Sequence, residues 1–138
     1  MIDIENDVID NVAAAVRAAY PGIWFAGEYV PRPAKFPAAM VNEADNRVFE
    51  RMRTTTIENA VSVMYEARAF SNKQSGKKAE AKEIITTIDE TMTAMGFTRT
   101  FLDQIPNLQD ASIFQFLARY EAVVAPGYDG KFLVYHNT

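Results

Sequence analysis

The sequence predicts an α+β fold: a mostly antiparallel sheet with one long amphipathic helix, about residues 75–95, packed on one face, plus an N-terminal helix. Three observations carry that expectation. Ala81, Ile84, Ile88, Met92 and Met95 recur three or four residues apart. That spacing sets them on one stripe of a helix and leaves Lys82, Glu83, Asp89 and Glu90 mostly to water. Upstream, Val61, Val63, Tyr65, Ala67 and Ala69 alternate with Ser62, Glu66 and Arg68, the period of a strand with one buried face. Downstream, Phe97–Phe101 and Ile113–Val124 alternate in the same way. A strand, a helix and a hairpin in that order fit a helix laid across an antiparallel sheet. Ser71 or Ser75 is placed to cap the helix start, and Gly96 to end it in the left-handed conformation.

The remaining elements follow in chain order. Ile4, Val8, Val12, Ala15 and Ala19 step by three and four, with Val16 widening the stripe, so Ile2–Tyr20 reads as a helix stopped by Pro21-Gly22. Ile23–Tyr29 is a strand candidate carrying Trp24 and Phe25, broken by the prolines at 31 and 33. Phe36–Val41 reads as a short edge strand and Asn42–Asn46 as a polar turn. Val48–Thr54 and Ala60–Ser71 read as two antiparallel strands joined near Thr55–Asn59, or equally as a long ribbon projecting from the domain. Leu102–Ala111 has neither period and reads as a loop. Asp129-Gly130 signals a tight turn into a final strand, Phe132–Tyr135.

Composition excludes much chemistry. The 138 residues suit a single domain, 1–138, and a hydrophobic content of 49% can bury a core. No cysteine is present, which removes disulfide frameworks and thiolate metal sites. The sole histidine, His136, lies near the end of the sequence, which argues against Ser–His or Cys–His catalysis and histidine-rich metal sites. No apolar run reaches the ~18 residues of a membrane span, and the acidic opening does not look like a secretory leader. A net charge of −4 argues against a surface that wraps nucleic acid. The expectation is a soluble, intracellularly made domain.

No catalytic residue, cofactor or metal is expected. Asp89 with Glu90, and Glu80 with Glu83, lie on the polar side of a helix, without an apolar pocket to raise a pKa. Asp7 and Asp10 lack a third ligand at usable spacing. Gly76-Lys77-Lys78 lacks the first glycine of a phosphate-binding loop. What remains is contact chemistry. Arg47, Arg51 and Arg53 fall on one side of a strand, with Arg32 and Lys35 upstream, and make the most basic part of the chain. A charge-guarded sheet edge accounts for them, and so does an interface or ring lumen. Asp3, Asp7 and Asp10 crowd the start of the first helix, where negative charge suits the dipole, and are a candidate counterpart for the arginines. Tyr29 and Phe36, if exposed beside the prolines, would make an oligomer contact.

In detail, Tyr65-Glu-Ala-Arg-Ala-Phe-Ser-Asn72 is followed by Lys77–Ile84, Ile88-Asp89, Met95-Gly-Phe-Thr-Arg99, Pro106-Asn107 and Arg119-Tyr120-Glu121. Over about the last two-thirds of the chain, this order resembles the small minor capsid or tail-completion proteins of long-tailed phages, tail terminators included. The resemblance implies an α+β protomer in a hexameric ring. The ring would cap the head-proximal end of the tail tube, dock to the neck connector proteins and pass DNA through its lumen without specific binding. It implies a place in the virion, at the tail–neck junction. The segments 30–37, 47–58 and 103–111 are the expected suppliers of inter-subunit contacts. An adaptor or stopper ring of the head–tail connector is the nearer alternative, and a small-ligand-binding α+β domain the more remote one.

Overall fold

The computed structural model describes residues 2–48, 60–106 and 110–126, and the backbone of 132–135. The elements run α1 (Glu5–Ala19), β1 (Trp24–Ala26), β2 (Ala38–Val48), β3 (Val61–Ser71), α2 (Lys77–Ala94), β4 (Thr98–Gln104), β5 (Phe114–Pro126) and β6 (Phe132–Tyr135). The fold is α+β. One six-stranded sheet has the order β1-β2-β3-β5-β4, with β6 also pairing β5, and every neighbouring pair is antiparallel except β1–β2.

Alternation along the two central strands creates the core. Val61, Val63, Tyr65, Ala67 and Ala69 of β3 and Phe116, Ala118, Tyr120, Ala122 and Val124 of β5 are buried on one face. Ala81, Ile84, Ile85, Ile88 and Met92 of α2 close over them, joined by Val8, Val12 and Val16 of α1. Small residues under the helix matter here. Alanines at 67, 69, 118 and 122 let the α2 backbone approach, while Tyr65 and Tyr120 fill the space between. Phe97 stacks edge-on against Tyr65, with ring centroids 5.4 Å apart.

Glycine, rather than serine, shapes the start of α2. Gly76 is the N-cap residue, with a φ of 86°, and no side chain caps the helix. Ser71, expected as a cap, is instead buried; its hydroxyl donates to Glu80 Oε1 at 2.7 Å and accepts from the Lys73 amide. Gly96 ends the helix with a φ of 97°, as expected.

The largest correction concerns β2. The expected short strand 36–41, polar turn 42–46 and new strand from Val48 are one continuous strand from Ala38 to Val48. A bulge between Glu43 and Asp45 absorbs the irregularity against β3. The polar residues stay in the strand because partners distant in sequence satisfy them: Tyr65 Oη donates to Glu43 Oε1 at 3.2 Å, and Asn46 Nδ2 donates to the Ile2 carbonyl at 3.0 Å. Strand β4 likewise runs on to Gln104, into what reads as loop. The rest of the expected strand, 49–54, its turn at 55–59 and the 129–130 turn lie outside the described residues.

Ile88 is fully buried against the sheet. Ile88→Ala should cost roughly 2–5 kcal/mol, whereas Glu90→Ala, on the exposed face, should stay within ~0.5 kcal/mol. Ile88→Asp should bury an unpaired charge and abolish cooperative thermal unfolding. An Ile88→Asp protein that melts like the parent would show that this helix face is misassigned.

Candidate functional site

Both helices pack on one side of the sheet, and the other side carries a polar rung. Phe101, Arg119, Glu66 and Asn42 are successive register partners across β4, β5, β3 and β2. Their side chains interlock. Arg119 Nε lies 3.3 Å from Glu66 Oε2, and its guanidinium sits 5.0 Å from the Phe101 ring centroid. Arg68, on the next rung, places Nη2 3.6 Å from the same Glu66 oxygen and donates from Nη1 to Asn42 Oδ1 at 3.2 Å. Its guanidinium lies 4.7 Å from the centroid of Tyr29, which is 56% exposed. Two arginines thus share one carboxylate, and each is backed by an aromatic ring.

Apolar ends flank this rung. Segment 27–37 folds across one end, where Trp24, Val30, Phe36 and Ile113 pack on Ala38, Met40 and Phe70. Ala60, Val123 and Ala125 cluster at the other. Phe36 is therefore half-buried and stacked on Phe70, while Tyr29 remains largely exposed.

Two sheet edges are also open among the described residues. Strand β1 covers only Ala38–Met40 of β2, so the outer side of Val41–Val48 has no strand partner. Strand β4 is terminal in the sheet, and six of its seven residues are exposed. Two of the large exposed apolar side chains, Val48 and Leu102, stand on these edges.

The residues singled out from sequence are dispersed. Arg47 is on β2 with its side chain 72% exposed, and its ion partner is Asp45 on the same strand at 2.9 Å. Arg51 and Arg53 lie outside the described residues. Asp3 accepts a hydrogen bond from the Glu5 amide at 3.0 Å, just ahead of α1, and Asp7 and Asp10 are exposed along that helix. Asp3, Glu5 and Glu43 bring carboxylate oxygens within 4.8 Å of one another, a group that excludes Asp7 and Asp10. Burial pushes the Glu43 carboxyl above the usual carboxylate range, against the lowering effect of the Tyr65 hydroxyl, and the charges of Glu5 and Asp3 add to the rise. Lys77, at the start of α2, donates to the Ala111 carbonyl at 3.0 Å.

A second polar group escaped sequence reasoning. Tyr120 is fully buried, and its hydroxyl donates to Asp89 Oδ1 at 2.9 Å, while Arg99 holds the same oxygen at 3.2 Å. Asp89 looks like a solvated helix residue in the sequence; only the register of β5 beneath α2 joins it to Tyr120. No protein-family model matches the chain, and no curated protein matches it in sequence.

Burial, and then the carboxylate each one faces, pushes the Tyr65 and Tyr120 hydroxyls far above the ordinary tyrosine value of 10.0. Their folded-state pKa is raised, so stability is fully present below the unfolded value and falls once pH rises past it. Chemical denaturation should show stability falling above pH ~10. Tyr65→Phe and Tyr120→Phe should each flatten that loss, and an unchanged alkaline slope in the double variant would exclude these phenols as its source.

Proposed function

We propose that this chain is a structural protein of a long-tailed phage virion, a tail terminator or tail-completion protein. Its ring caps the tail tube, meets the neck connector proteins at the tail–neck junction and passes DNA through its lumen. The observation that carries the reading is the layout of the segments that bear the resemblance. Of these, residues 65–71 fall in β3, 77–84 and 88–89 in α2, 98–99 at the start of β4 and 119–121 in β5, the frame of the sheet. Among the described residues, the sheet built on it has one face without a helix and two dissimilar edges, on β2 and β4, at opposite sides. A closed ring needs such unlike surfaces, because each subunit meets its two neighbours differently. An adaptor or stopper ring in the head–tail connector would use the same layout.

Charge at the end of β2 and in the sequence after it supplies the docking contact in this reading. Arg47, Arg51 and Arg53 meet acidic groups of a neighbour or of the tube, with Asp3 ahead of α1 and Asp7 and Asp10 on it as one counterpart. Arg51→Glu with Arg53→Glu should leave far-UV circular dichroism and melting unchanged, yet yield tails that fail to join heads or vary in length. Normal infectious particles from that double variant would remove these arginines from the interface.

A further inference from the structure

We propose that the outer edge of β4 pairs, antiparallel and head to tail, with the outer edge of β2 in a second copy of this chain. The inference goes beyond the virion reading, since it concerns self-association of the chain wherever it acts.

Strand direction permits the pairing. Passing from β2 through β3 and β5 to β4 crosses three antiparallel interfaces, so β4 runs opposite to β2. A second copy set beside β4 in the same orientation therefore presents its β2 antiparallel, and backbone groups near the end of that β2 can extend the ladder that β4 leaves open at Leu102–Gln104.

One register matches the side chains. Leu102 lies opposite Ala118 and Val48 opposite Val61, so both point to the helix side of their sheets. They are exposed by 41% and 39%. Set Leu102 against Val48 of the second copy, and the next pair along is Asp103 with Arg47, both on the opposite side of the sheet. The pair after that is Gln104 with Asn46, two amides on the helix side. An apolar pair, an ion pair and an amide pair thus fall in succession, each with its members on one face. Sliding by two residues to deepen the overlap sets Asp103 against Asp45 and loses the match. This register also clears β1, which occupies β2 only at Ala38–Met40. Charges on a lone edge ordinarily repel a second strand. Here the one charged pair this register forms, Asp103 with Arg47, is of opposite sign, so the same residues favour this alignment over the two-residue slide.

The chain has no cysteine, which makes the test direct. In the full-length protein, Val48→Cys with Leu102→Cys should give, on mild oxidation, a ladder of covalent oligomers on a denaturing gel. Either single variant should stay monomeric, because the paired positions come from different edges. In the cysteine-free protein, Asp103→Arg or Arg47→Asp should lower the mass seen by sedimentation, and the two together should restore it. No ladder above the single-variant background, single variants that cross-link as well as the double, or no rescue by the charge swap would each overturn the pairing. A ring held by other surfaces would remove this pairing and leave the virion reading. A cross-linked ladder from a chain absent from virions would do the reverse.

Discussion

The packing of α2 onto β3 and β5 is the contact on which the rest of the structure depends. It is tight because the two strands place alanines at 67, 69, 118 and 122 beneath the helix, so Ile84, Ile88 and Met92 reach the sheet without a gap. Two tyrosines fill the wider spaces, and each needs a polar outlet for its hydroxyl. Tyr65 finds Glu43 on β2, and Tyr120 finds Asp89 on α2. The first bond fixes a polar stretch of β2 to the sheet, and the second fixes the rotation of α2 about its own axis. Hydrophobic burial brings these elements together, and the two phenols select one alignment among those that burial alone would accept.

With both helices on one side, the sheet is left with a face that must be stable against water. Glu66, shared by Arg68 and Arg119, offsets one of their two positive charges, and Tyr29 and Phe101 lie over the guanidinium groups. Such a rung is planar, polar and held from both sides. Its edges differ: β2 ends in Asp45, Arg47 and Val48, and β4 in Leu102, Asp103 and Gln104. That asymmetry suits assembly with directional contacts better than it suits a two-fold dimer.

The core was legible in the sequence because its signal is periodic. Alternation from Val61 to Ala69, looser alternation from Ile113 to Val124, and the three-to-four spacing in both helices report the face turned to the core. Residues 42–47 of β2 misled because Asn-Glu-Ala-Asp-Asn-Arg is turn-like in local propensity, while its strand state depends on Tyr65, Ile2 and the β3 ladder. The serine cap failed for a related reason. Ser71 sits at the end of a buried strand, and its hydroxyl is taken by Glu80 from the helix it was expected to start. The Glu66–Arg119 and Asp89–Tyr120 contacts join residues 53 and 31 apart, so they depend on strand register, which no local pattern encodes. Of the candidate contact residues, Arg47, Asp3, Asp7 and Asp10 were visible as charge, but the opposed β2 and β4 edges with Val48 and Leu102 emerged only once the strand order was known.

We propose that this chain forms a ring at the junction of a phage tail and its neck. It is tested most directly by a density map of the intact virion, at a resolution that traces strands. The account predicts a closed ring of this fold capping the tail tube beneath the neck, with successive subunits related by rotation about the tube axis. The chain found at any other place in the particle, or absent from it, would contradict the account.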